Sequence, residues 1–213
     1  MSHDLTLYGV GTSRTMRAHW MLLELGLDYE SLPIQSRSGE TLTDEFRRLN
    51  PRHKIPVLKH GNFVLAESAA IVQYLSETFA HSTEMYVPRD AQARAEMNES
   101  CYFIMTELDA GSLYVVRRHE GLAAIYGEAP TAVASAKTYF LHNLEAMAPR
   151  IDRAPYLFGE LLSAADILLT TCLDWAVVSG IALPKQAVDY QLRIARRPAY
   201  QAALKRNFPQ NRG

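Results

Sequence analysis

Apolar and polar positions change period several times across the first eighty residues. Residues 5–9 alternate and read as a short strand, after which Met16, Trp20, Leu23 and Leu27 recur at helical spacing until Gly26 ends the turn. Residues 29–34 read as a second, weaker strand. Pro33 cannot donate to a ladder, which predicts an edge position for it. Residues 40–49 read as a short polar helix closed by Asn50-Pro51. Residues 57–60 and 63–66 flank Gly61-Asn62, a dipeptide able to supply the positive φ angles of a tight hairpin. From 68 to 79, Ile71, Val72, Leu75 and Phe79 return on one helical face. The predicted order is β-α-β-α-β-β-α, an α/β unit over residues 1–80.

Periodicity disappears over 81–90, where Pro88 intervenes, and this stretch reads as a linker. Residues 91–213 read as all helical. Their segments are 91–119, 130–147 with Pro130 at a start position, 163–178, 188–196 and 198–205. The 163–178 helix is apolar nearly all round, so the second half is expected to pack as a bundle about it.

At 213 residues, 48% hydrophobic and 21% charged, the chain has the make-up of a soluble globular protein. Twenty-two Lys and Arg against 23 Asp and Glu leave a net charge of -1, which excludes a broad electrostatic hold on nucleic acid or an anionic membrane. Cys101 and Cys172 form neither a C-x-x-C nor a metal-ligand pair, so neither a disulfide scaffold nor a metal site is expected. No apolar run reaches the roughly 18 residues of a membrane span. The start, Met1-Ser2-His3-Asp4, lacks the basic-then-apolar order of a secretory signal. The expected location is a reducing cytoplasm.

Three segments carry a physical mechanism. In Asn50-Pro51-Arg52-His53-Lys54-Ile55-Pro56-Val57-Leu58, a proline stands directly before a strand; if Ile55-Pro56 is cis, the Ile55 backbone N–H and C=O turn outward to pair with an extended peptide ligand. An ordinary trans proline at a strand start is the alternative. Gly9-Val10-Gly11-Thr12-Ser13-Arg14-Thr15-Met16-Arg17 brings several hydroxyls to a helix start, where unpaired N–H groups favour an anion or thiolate. A hydroxyl there can donate to sulfur and lower a thiol pKa, or it can serve simply as the N-cap. This loop matches neither of the glycine-rich nucleotide-phosphate patterns. Ser163-Ala164-Ala165-Asp166 is a capping box, with Leu162 and Ile167 as its staple, and its role is folding.

Taken together, these segments resemble the cytosolic glutathione transferase superfamily over essentially the whole chain. Asn50-Pro51-x-x-Lys54-Ile55-Pro56-Val57-Leu58 is similar to its cis-proline segment and Glu67-Ser68-x-Ala70-Ile71 to its γ-glutamyl-binding turn. Gly159-x-x-x-Ser163-x-Ala165-Asp166 is similar to its helical-domain capping motif, and Tyr190-x-x-Arg193-x-x-Arg196-Arg197-Pro198-Ala199-Tyr200 to its C-terminal helices. The resemblance implies a thioredoxin-like N-terminal domain followed by an all-helical domain, and a cis Pro56. It implies that the Ile55 backbone meets the cysteinyl unit of glutathione, that Glu67 and Ser68 hold the γ-glutamyl end, and that His53 or Lys54 lies near the glycyl carboxylate.

Tyr8 lies inside the first strand, too early for the tyrosine-type classes. The chain therefore resembles Ser/Thr-type bacterial members, with a loop pattern nearest zeta-, theta- and phi-like classes. Ser13 is the first candidate for thiol activation and Thr12 the second. Arg14 falls where some bacterial relatives carry cysteine or asparagine and is carried as a further glutathione contact. No cysteine in this loop means no mixed-disulfide chemistry. The implied activity is conjugation of the glutathione thiolate, as co-substrate, to a small hydrophobic electrophile in detoxification, by a homodimer with no metal. Tyr102, Met105, Tyr114 and Arg117 are candidates for the second-substrate pocket, expected between the domains, with bundle core or dimer contact as the alternative. Glutathione-dependent isomerisation, dehalogenation or ether cleavage starts from the same thiolate. A non-catalytic binding protein on the same fold is the other class of function, and a thioredoxin-type reductase is disfavoured by the missing C-x-x-C.

Overall fold

A computed structural model describes residues 4–80 and 85–209. Contacts divide the chain into two compact units, Met1–Thr83 with Ala195–Gly213, and Glu84–Ile194. Residues 81–84 of the expected linker lie outside the described residues.

The first unit follows the β-α-β-α-β-β-α order. Its elements are β1 (Leu5–Val10), α1 (Ser13–Glu24), β2 (Glu30–Gln35), a 3-10 turn at Glu40–Leu42 leading into α2 (Asp44–Leu49), β3 (Val57–His60), β4 (Phe63–Ala66) and α3 (Ser68–Phe79). The sheet order is β2-β1-β3-β4, with β1 parallel to β2 and antiparallel to β3, so β2 with its Pro33 is an edge strand as the sequence predicts. Leu7 faces Leu58 and Tyr8 faces Val57 across the ladder, and Gly61, at φ 57°, turns the β3–β4 hairpin. Register with β2 slips between Tyr8 and Val10, a bulge centred on Gly9.

Helix α1 differs from the one-faced helix that its apolar spacing predicts. Eight consecutive residues, Thr15 to Leu22, are buried, including Arg17 and His19, while Leu23 is only half-buried. The cause is a third neighbour: α1 packs on β1, on α3 and on α10 (Pro198–Asn207). The sequence reading attaches residues 198–205 to the helical bundle. In the structure α10 groups with the first unit instead. At one end Trp20 meets Tyr200 edge to face at 5.0 Å. Glu24 there accepts from the Trp20 indole N–H at 2.9 Å and from the Arg197 guanidinium. At the other end Asn207 meets the start of α1.

The second unit is helical throughout its regular elements. α4 (Ala91–Phe103) runs without a break into wide π-helical turns at Ile104–Leu113, a single α turn α5 (Tyr114–Val116) and further π turns at Arg117–Gly121. The wide turns are absent from the sequence reading. Ser112 Oγ donates to the Glu107 carbonyl five residues back, at 2.5 Å, and glycine at 111 lets the Thr106 carbonyl approach to where a Cβ would be 2.9 Å away. Then come α6 (Ala123–Tyr126), α7 (Pro130–Arg153), α8 (Ala164–Val178) and α9 (Lys185–Ala195). α7 passes Pro149 rather than ending before it, because Ile151 keeps the buried face going beyond the proline.

Twelve residues of α8 are buried, the central position its composition predicts. Its capping box is formed: Asp166, fully buried, accepts from the Ser163 and Leu157 main-chain N–H at 2.7 and 2.8 Å and from the Ser163 and Tyr190 hydroxyls at 2.5 Å each. Burial pushes its carboxyl above the ordinary carboxylate value, against the opposing pull of those four donors.

Candidate functional site

The first unit carries nine of the sequence-predicted residues, in the loops and helix starts that follow β1, α2 and β4. Thr12 is the N-cap of α1: its hydroxyl accepts from the Thr15 N–H and the Thr15 hydroxyl accepts from the Thr12 N–H, both at 3.0 Å. Ser13 follows at the first helical position, half-buried, and its hydroxyl has no hydrogen-bond partner among the described residues. Arg14 is half-buried beside it. Free N–H groups of the first turn give this end a partial positive charge.

The Ile55–Pro56 peptide is cis. Ladder pairing of β3 starts at Val57, so Ile55 stands two residues outside the sheet, and no backbone bond engages it among the described residues. Gly9 lies directly behind it. At φ 118°, a Cβ on Gly9 would be 2.7 Å from Ile55 Cβ, so only glycine allows this approach. His19 braces Gly9 from α1: its Nε2–H donates to the Gly9 carbonyl at 3.1 Å and its Nδ1 accepts from the Tyr29 hydroxyl at 2.7 Å. Burial, with the Arg206 charge adding to it, pulls the His19 pKa down to about 4, so the ring is neutral at pH 7.

Glu67 and Ser68 stand at the start of α3. Glu67 is its N-cap and holds φ 74°, a left-handed conformation that costs a non-glycine residue about 1–2 kcal/mol. Its exposed carboxylate pairs with Arg52 at 3.0 Å. Ser68 is buried, and its hydroxyl accepts from Arg17 Nη1 at 3.1 Å rather than capping the helix. Arg17, a fully buried cation behind the turn, is a residue that periodicity misses, because a charged side chain on the core side of a helix breaks the pattern on which that reading depends. His53 has φ 55° and its Nδ1–H donates to the Thr41 carbonyl at 2.8 Å, which leaves Nε2 as its second polar atom; Lys54 is exposed, with its carbonyl held by Asn50 at 2.8 Å.

Ile55, Pro56, Glu67, Ser68, Thr12, Ser13, Arg14, His53 and Lys54 thus all belong to the first unit. Tyr102, Met105, Tyr114 and Arg117 are all in the second, spread along the 91–121 helix; Tyr102 is exposed and the other three half-buried. A cavity of about 390 Å³ at the far end of that helix, bordered by His119, Glu120 and Lys137, involves none of the four. Burial and the Asp166 charge push the Cys101 thiol to about 12, so it stays protonated. No cluster of metal-ligating side chains occurs among the described residues.

This arrangement offers an unpaired peptide edge, an acid and a hydroxyl at one helix start, and a hydroxyl at another. It suits a zwitterionic, extended small peptide carrying an ionisable group near α1. The sequence profile of the family described as glutathione S-transferase, N-terminal domain, matches residues 3–77. Glutathione S-transferase D6 of Drosophila melanogaster is 31% identical over 189 residues, covering 85% of this chain and 81% of the fly protein. Among solved structures, a glutathione transferase homologue from Lodderomyces elongisporus, with two glutathione molecules per subunit, superposes with a TM-score of 0.85 at 22% identity over 95% of this chain and 98% of its own. A theta-class glutathione S-transferase from Xanthomonas axonopodis pv. citri, with glutathione bound, gives 0.77 at 25% identity over 94% and 97%. Such identity, sustained across more than four-fifths of the fly protein, shows that the chain belongs to the glutathione S-transferase family.

Proposed function

We propose that this protein is a glutathione transferase that binds glutathione in its first unit, ionises the thiol beside the start of α1 and adds the sulfur to a small hydrophobic electrophile. The Ile55 N–H and C=O pair with the cysteinyl unit, Glu67 and Ser68 hold the γ-glutamyl end with Arg17 behind Ser68, and His53, Lys54 and Arg14 border the remaining charges. The S–H proton leaves to solvent; the thiolate then forms the new C–S bond while the electrophile's leaving group departs or its π electrons move to the neighbouring atom. Ser13 donates a hydrogen bond to sulfur throughout and transfers no proton.

One observation carries the choice of hydroxyl: Thr12 is engaged in the capping box of α1 whereas the Ser13 hydroxyl has no partner among the described residues. The electrophile is read as meeting the surface that bears Tyr102, Met105, Tyr114 and Arg117, where apolar and adaptable side chains accompany one cation. The same reading includes a cytoplasmic homodimer acting in detoxification. Near-neutral charge and family membership support it, and no helix among the described residues is long and apolar enough to cross a membrane.

Retention on immobilised glutathione followed by a conjugation assay over a panel of electrophiles tests the activity; retention without turnover would favour a binding role. Ser13→Ala is expected to raise the pKa of the bound thiol and to lower kcat at neutral pH about ten- to a hundredfold, the loss of one hydrogen bond to a charged partner. Glutathione affinity should stay within a few-fold and the defect should shrink at high pH. Thr12→Val is the control: a raised pKa there alone would move the role to Thr12.

A further inference from the structure

Asn207 closes α10, is fully buried, and directs every polar atom of its side chain at the loop that carries the candidate hydroxyls. Its Nδ2 donates to the Thr12 carbonyl at 3.0 Å, its Oδ1 accepts from the Thr15 hydroxyl at 2.6 Å, and its own main-chain carbonyl accepts from the Gly11 N–H at 2.8 Å. All of these groups lie within the first unit. The direction of each bond follows from counting protons. A carbonyl can only accept, so the amide must turn its NH2 toward Thr12 and its oxygen toward Thr15. The single Thr15 hydroxyl proton has two acceptors within reach, Asn207 Oδ1 at 2.6 Å and the Thr12 carbonyl at 2.9 Å, and it goes to the nearer, since the carbonyl already accepts from Asn207 Nδ2; either way it points away from Thr12 Oγ1. Across the 3.0 Å that separates the two threonine hydroxyls, the Thr12 proton therefore goes to Thr15 Oγ1. The result is a one-way chain, Thr12 to Thr15 to Asn207, in which the Thr12 hydroxyl has no proton left for a ligand.

We propose that Asn207 is a positioning residue for thiol activation: it fixes the Gly11–Thr15 loop, turns the Thr12 hydroxyl proton inward, and so leaves Ser13 as the donor to sulfur. This inference rests on the proposed glutathione transferase reading and adds to it a residue from the far end of the sequence. An amide is required at this position. A carboxylate of the same shape can accept from Thr15 but cannot donate to the Thr12 carbonyl, and it adds a negative charge near the helix start. Other charged or titratable groups of this region are Arg14, Arg17 and His19 on α1, Tyr29, and Arg206 on α10.

The test uses the full-length protein as wild type, Asn207→Ala, Asn207→Asp, Ser13→Ala and Thr12→Val, with thiolate absorbance of bound glutathione titrated against pH and kcat and KM measured in parallel. Both Asn207 variants are expected to raise the bound-thiol pKa by about one unit and to lower kcat about tenfold at neutral pH. KM for glutathione should stay within about threefold and the defect should shrink as pH rises. A merely structural role would lower the melting temperature and leave the pH profile of the folded protein where it is; that result in Asn207→Asp overturns the proposal, and this isosteric variant decides the matter if Asn207→Ala does not fold. A silent Asn207→Asp beside an active Ser13→Ala sinks the positioning role alone. An active Asn207→Asp beside a silent Ser13→Ala sinks the Ser13 assignment and keeps the positioning role. Should wild type leave the bound thiol at its free pKa, thiol activation itself fails, and unchanged kcat in Asn207→Asp then overturns the role of Asn207 as well.

Discussion

Gly9→Ala places one methyl group where the fold has no room for it. The added carbon would lie 2.7 Å from Ile55 Cβ, 3.0 Å from Thr15 Cγ2 and 3.1 Å from Ile55 Cγ2, whereas carbon atoms rest at about 3.5–4.0 Å. Relief needs a movement of about 1 Å between β1 and the Ile55 segment. The backbone at φ 118° adds strain for any residue with a Cβ, about 1–3 kcal/mol, and overpacking adds about 1–3 kcal/mol. His19 opposes escape of β1, since its ring holds the Gly9 carbonyl at 3.1 Å. The displacement therefore falls on Ile55, whose N–H and C=O are the proposed contacts to the cysteinyl unit. Urea unfolding should report a loss of about 2–6 kcal/mol. Calorimetry on the remaining folded protein should show glutathione binding at least tenfold weaker, in keeping with the roughly hundredfold cost that a 1 Å misplacement can carry. A folded Gly9→Ala protein with wild-type affinity and less than about 1 kcal/mol of lost stability would refute both the close approach and the role given to Ile55.

Two further outcomes follow from buried polar groups. Asp166→Ala strands the Leu157 and Ser163 N–H groups and the Tyr190 hydroxyl in the core; at about 1–3 kcal/mol each it should cost at least about 3 kcal/mol, and a thermal shift under about 5 °C would contradict the count. His19 has a folded pKa of about 4 against 6.5 when unfolded, so the unfolded chain takes up the proton first: its contribution, about 3 kcal/mol, is complete above pH 6.5 and is lost as pH falls toward 4. His19→Gln should flatten that slope in urea titrations run from pH 7 to 4, and an unchanged slope would assign the acid lability elsewhere.

What could be read from the chain alone was local or periodic. Gly61-Asn62 marks its hairpin because the positive φ of the turn falls on Gly61, and Ser163-x-x-Asp166 marks its helix because cap and acceptor are three residues apart. Pro33 placed its strand at the edge through the missing donor. The bonds on which the proposed choice between Thr12 and Ser13 rests were beyond that reach, because Asn207 is separated from Thr15 and Thr12 by 192 and 195 residues and leaves no repeat in the sequence. Arg17 escaped for a related reason. Its burial depends on Ser68 and on the helices α3 and α10 packed on α1, and an isolated helical wheel contains none of these. The wide turns of 104–113 are accompanied by one serine hydroxyl bond and one close approach at a glycine, residues too common in any sequence to flag a change of helical pitch.

The return of α10 to the first unit has a consequence in time as well as in space. A ribosome delivers residues 4–80 first, then the whole of the second unit, and only afterwards Arg197, Tyr200 and Asn207. At the usual pace of about 5–20 residues per second, the sheet and α1 wait several seconds with one side of Trp20, the Glu24 carboxylate and the loop at Gly11–Thr15 lacking their partners. The second unit has all of its own contacts by then and can fold while the first is still open. A nascent chain that stops short of Arg197 would thus hold every proposed glutathione contact and still lack the clamp on the Gly11–Thr15 loop, so on the proposed reading thiol activation, as distinct from binding, waits for α10.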